Sequence, residues 1–84
     1  MRDIVIRITK GHIRDGVPGS TCDCPIALAV KDALLTESVS VDTSAIYING
    51  ASFNVDKHDL KFIERFDNGK SVRPYSFSLK RRSR

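Results

Sequence analysis

Residues 45–55, AIYINGASFNV, constrain this chain more than any other stretch. Asn-Gly favours a two-residue turn because both positions take positive φ, and here it separates two alternating runs. The predicted register sets Ile48 opposite Ala51 and Ile46 opposite Phe53. Ile46, Ile48, Phe53 and Val55 then share one face, with Tyr47, Ser52 and Asn54 on the other.

The remaining elements are read outward from that hairpin. Upstream, residues 39–41 form a short strand and Asp42, Thr43 and Ser44 a turn. Residues 3–9 alternate, so a first strand points Ile4, Ile6 and Ile8 at the core. Residues 10–20 carry three glycines and a proline. They read as a loop with one short helical turn near Ile13, an irregular segment of the kind that carries binding surfaces. Between Pro25 and Leu35, the positions Ile26, Ala29, Val30, Ala33 and Leu34 recur at helical spacing, opposite Lys31 and Asp32.

Downstream, Asp56 caps a second helix over residues 57–66, with Asp59 favourable in its first turn. Leu60, Phe62, Ile63 and Phe66 supply its buried stripe, and Asn68-Gly69 ends it. Tyr75, Phe77 and Leu79 then alternate as a last strand, with Pro74 at its start or on an edge. The expected fold class is α+β: a mainly antiparallel sheet of four to five strands with two helices on one face, in the order β-α-β-β-β-α-β. A ferredoxin-like split arrangement is one option, in which the strand at Val39 has no clear place.

With 84 residues the chain makes a single domain over 1–79, burying roughly 60–65% of its unfolded surface. Its 40% hydrophobic and 29% charged residues suit a folded globular chain. No apolar run approaches the roughly 18 residues that span a bilayer, and Arg2 and Asp3 lead straight into a strand pattern. The expectation is a cytoplasmic protein without signal or membrane segment. The net charge of +4 is local: the final KRRSR holds four of the fourteen basic side chains, leaving ten basic against ten acidic in residues 1–79. This basic tail, residues 80–84, is either a solvated terminus or a weak, salt-sensitive contact to nucleic acid.

Both cysteines lie in STCDCPIALAV, residues 20–30. Cys22, Cys24, His12 and His58 are the soft candidates for a zinc site, but zinc cysteines come in pairs two to four residues apart. A bridge between Cys22 and Cys24 would close a small, strained ring that a reducing cytosol opens. The remaining reading is local geometry, with Pro25 at the first helical position and Cys24 or Asp23 as cap. A thiol at a helix N-terminus has a lowered pKa when exposed, and His12 is its nearest base in sequence. No phosphate-binding glycine loop, serine elbow or carboxylate pair in motif context appears. The chain is therefore expected to be no enzyme, with no cofactor and no metal.

The segments IVIRIT..HI, CDCPIALAV, FIERFDNG and VRPYSFSL together resemble a set of small bacteriophage and actinobacterial proteins of unknown function. The resemblance implies a stand-alone accessory protein, phage-borne and acting in the host cytoplasm; it implies no catalytic residue. Two functional classes follow. One is an interaction protein that binds a host or defence protein through the 10–23 loop, with His12, Arg14 and Asp23, and through the sheet face around Tyr47. The other is a nucleic-acid-binding module in which Lys80, Arg81 and Arg82 of the tail, with Arg73, hold a phosphate backbone while Tyr75 stacks on a base. Homodimerisation through an open edge at the Pro74 strand is compatible with both.

Overall fold

The computed structural model describes residues 4–80. Five strands and three helices follow in the order β1 (Ile4–Ile8), α1 (Lys10–Asp15), α2 (Pro25–Leu34), β2 (Val39–Val41), β3 (Ala45–Ile48), β4 (Ala51–Asn54), α3 (Lys57–Asp67) and β5 (Tyr75–Leu79). Asn49 and Gly50 both adopt positive φ, 51° and 86°. The hairpin closes in the expected register, Ile48 opposite Ala51 and Ile46 opposite Phe53.

The fold class is α+β with antiparallel strand pairing, but the strands divide into two sheets, β1-β5 and β2-β3-β4. A backbone bond from Asn54 N–H to the Lys80 carbonyl, 2.8 Å, ties the end of β4 to the residue following β5. Helix α2 packs against one strand of each sheet, β1 and β2. A ferredoxin-like arrangement shares the antiparallel pairing of first and last strands. The parallel pairing it adds between the first strand and the hairpin is not among the described pairings.

One core runs through both sheets, with Ile6, Ile8, Ile26, Val30 and Ile46 at its centre, all almost fully buried. Two expected core residues are displaced from it. Ile4 opens its strand and is 44% exposed, while Ile6 and Ile8 are buried. In α2 the buried arc runs over Ile26, Ala27, Ala29 and Val30, leaving Ala33 in solvent.

The short helical turn expected near Ile13 in the 10–20 loop is a six-residue helix, α1, so the described helices number three rather than two. Thr9 caps it, its side chain accepting from His12 N–H while the His12 ring accepts from Thr9 N–H, a reciprocal capping box. Histidine fills the place that glutamate or glutamine usually takes. At the other end Gly16 sits so close to α2 that a Cβ there would lie 2.7 Å from Pro25 Cδ.

Helix α1 therefore has two glycines with opposite demands. Gly11→Ala meets no contact closer than 3.6 Å and should stabilise the fold by about 0.5–1 kcal/mol through helix propensity. Gly16→Ala should destabilise it by about 1–3 kcal/mol through overpacking. Urea unfolding of both variants checks the sign of each.

Candidate functional site

Helix α3 carries two kinds of residue on two arcs. Lys57, His58, Lys61 and Arg65 recur at spacings of three and four, forming one basic stripe. Asp59 and Phe62 form the buried arc, Asp59 being only 2% exposed. Asp59 was expected only as a first-turn acid. It completes a capping box with Asp56, whose side chain accepts from Asp59 N–H at 3.0 Å.

The Asp59 carboxylate also accepts the Tyr75 hydroxyl, Oη to Oδ1 2.5 Å. Burial pushes the Asp59 carboxyl above its ordinary range; the Tyr75 hydrogen bond opposes the shift and the Asp56 charge adds to it. Burial, then the bond and charge of Asp59, push the Tyr75 phenol far up, so it remains a neutral donor. The Tyr75 ring is held between His58, edge-on at 4.5 Å, and Phe62 at 5.1 Å. Tyr75 is thus a half-buried anchor of α3 on β5, not a free stacking platform.

This anchor places the basic stripe beside the segment entering β5. Between them lies a groove of about 530 Å³, lined by Lys61, Arg65 and Arg73 with His58, Phe62 and Tyr75, and by no acidic side chain among the described residues. Arg65 is fixed in place, its Nε and Nη2 donating to the Ser71 carbonyl at 3.1 and 2.9 Å. Its Nη1 makes neither of these bonds and remains a donor for an anion. The structure thus brings His58, Arg73 and Tyr75 together, and adds Lys61 and Arg65, which residue-by-residue reading did not single out. The 57, 61, 65 spacing was the available signal.

The other candidates lie elsewhere. Lys80 is exposed beyond β5, near Asp56, Asp59 and Tyr75; Arg81 and Arg82 lie outside the described residues. Arg14 pairs with Asp15 at 3.1 Å, and Asp23 with Lys31 at 3.6 Å. Tyr47 is 37% exposed on β3. It shares a shallow hollow with Cys22.

The thiols are both free, Cys22 exposed and Cys24 buried. Cys24 caps α2, its Sγ accepting from Ala27 N–H at 3.4 Å. Burial raises its pKa, against the pull of the backbone amides of Ala27 and Ile26, so it stays a thiol at neutral pH. Among the described residues no three metal-ligating side chains converge. His12 is committed to Asp32, Nε2 to Oδ2 2.6 Å. Its Nδ1 accepts from Thr9 N–H at 3.0 Å, so the ring proton sits on Nε2 and faces Asp32. The nearby Thr9 hydroxyl, 3.2 Å from Nδ1, therefore finds a lone pair already engaged, and this hydroxyl, imidazole and carboxylate serve to cap and latch α1.

No protein-family model, curated protein or solved structure matches the chain. No described helix is long and apolar enough to cross a membrane.

Asp59 and Tyr75 yield a two-part expectation. Tyr75→Phe removes a hydrogen bond to a charged group and should cost about 1.5–3 kcal/mol. A carboxyl raised on folding supports stability below the ordinary carboxylate range and loses that support as pH rises through the raised value. Asp59→Asn, which keeps an acceptor for Tyr75, should therefore gain stability relative to the parent as pH rises from about 4 towards neutrality. Chemical unfolding at several pH values checks this.

Proposed function

We propose that the chain is a non-enzymatic binding module for single-stranded nucleic acid, held by its phosphate backbone in the groove between α3 and the segment entering β5. The observation that carries this reading is the groove's charge: three cationic side chains and a histidine, with no acid among its described lining residues, in a chain whose first 79 residues balance in charge. Glu64 is exposed three residues from Lys61 on the neighbouring surface of α3 but does not line the groove; within the groove the cations repel one another, and phosphates relieve that repulsion by displacing their counterions. The exposed His58 ring at the groove edge is a surface for an unstacked base. The basic residues 80–84 would extend the contact.

A second reading is supported by the hollow that joins Cys22 to Tyr47, where the end of the 17–23 loop meets the outer face of β3. In that reading the chain is an accessory protein, phage-encoded as the resemblance implies, and Tyr47 docks a host or defence protein. A photo-crosslinker at position 47 that captures one saturable bacterial protein supports it; diffuse labelling contradicts it.

The nucleic-acid reading makes a quantitative statement about salt. Each phosphate contact on a single strand contributes about −0.7 to the slope of log K against log salt. Three to four contacts should give a slope of about −2 to −3 for an oligothymidylate. The variant carrying Lys61→Gln and Arg73→Gln should lose about 1.4 of it. Fluorescence anisotropy measures both. Undetectable binding at low salt, or a slope unchanged by these substitutions, contradicts the reading.

A further inference from the structure

Three smaller hollows share lining residues with the basic groove, and they differ in charge. The one beyond Phe62 has an apolar floor and is lined by two carboxylates, Asp42 and Asp67. The one reached past His58 and Tyr75 holds Asp56 and Asp59 beside Lys80. The third, a shallow hollow of about 390 Å³, adjoins the groove at Pro74 and Tyr75, which line both. It carries Arg7 and Lys10, with no acid among its described lining residues.

The backbone brings these two cations to the groove's end. In the antiparallel β1-β5 pair, Ile8 lies opposite Tyr75 and Arg7 opposite Ser76. Ile8 is buried in the core, so its neighbour Arg7 points to the other face and is exposed. Lys10 opens α1 directly after β1. Because the strands are antiparallel, the chain leaves β1 at the same end at which Arg73 and Pro74 enter β5, and Lys10 comes to line the hollow with Pro74. Among the described residues neither Arg7 nor Lys10 is paired with a carboxylate. Both keep their donors for a ligand.

We infer, on the reading that the groove binds single-stranded nucleic acid, that the bound strand continues over Pro74 into this hollow, where Arg7 and Lys10 hold its next phosphates. Charge sets the direction. A phosphate backbone leaving the groove past Phe62 or towards Lys80 comes up against carboxylates, and repulsion needs only their charge, not free oxygens. Over Pro74 it meets cations alone and releases their counterions. The crossing point is itself uncharged. Pro74 is exposed and has no N–H to satisfy, and the Tyr75 hydroxyl is committed to Asp59. The groove and the hollow thus form one cationic track from Arg65 and Lys61 through Arg73 to Lys10 and Arg7.

Two oligothymidylates, of about four and about ten nucleotides, test this on the full chain by amide NMR and fluorescence anisotropy. The shorter strand should stay in the groove. The longer one alone should add saturable amide shifts at residues 7–10 and 76. The variant carrying Arg7→Gln and Lys10→Gln should lower the longer strand's slope of log K against log salt by about 1.4, two contacts at about 0.7 each. Both positions are exposed, and the shifts in the parent chain decide without the variant. Residues 80–84 are the same in both proteins, so any contact they make cancels. A slope that the substitutions leave unchanged, or added shifts at Lys80 in place of residues 7–10, overturns the inference while the groove reading stands. A shorter strand that does not bind at all contradicts the groove reading, and the inference falls with it.

Discussion

The hydrogen bond between the Tyr75 hydroxyl and the buried Asp59 carboxylate is the constraint around which α3 and β5 are arranged. A carboxylate 2% exposed is costly unless both oxygens have partners. Asp59 Oδ1 takes the Tyr75 hydroxyl and Oδ2 the Asp56 amide, at 2.5 and 3.5 Å. The same residue thus closes the N-terminal cap of α3 and pins that helix to β5. Because Tyr75 faces Ile8 in the β1-β5 register, the bond also joins α3 to the first strand. With Asp59 turned inwards, helical geometry leaves Lys57, Lys61 and Arg65 outwards on a single line.

Phe62 separates two surfaces of opposite charge. On one side, cations line an open groove; on the other, two carboxylates stand over an apolar floor. A chain with balanced charge in its first 79 residues has therefore sorted that charge by position. The sorting is partial: α3 carries Lys57, Lys61 and Arg65 on one arc with Glu64 exposed beside them, and Asp67 at its C-terminal end.

Much of the fold was legible because local rules agreed with one another. Asn49-Gly50 set the hairpin register residue by residue, Pro25 marked the start of α2, and β5 follows the alternation of Tyr75, Phe77 and Leu79. Helix α1 was legible only as a short turn near Ile13; its extent was not, since its capping box uses His12 where the pattern asks for an acid or amide, and two glycines lie within or beside it. Nor was the division into two sheets, which alternation along single strands does not specify. The candidate site was half legible. Arg73 and Tyr75 were expected in it, but Tyr75 as a stacking ring. Its partner Asp59 is sixteen residues away, and a contact of that range leaves no periodic trace. Lys61 and Arg65 were hidden in plain composition, because charge was counted along the chain rather than around the helix.

The central claim is that the stripe fixed by Asp59 and Tyr75 is the surface that meets the ligand. Amide chemical-shift mapping with a short oligothymidylate at low salt tests it most directly. The account predicts saturable shifts confined to residues 57–65 and 71–75, with the terminal basic residues joining them. Shifts centred on Tyr47 and Cys22, or none in α3, would contradict it.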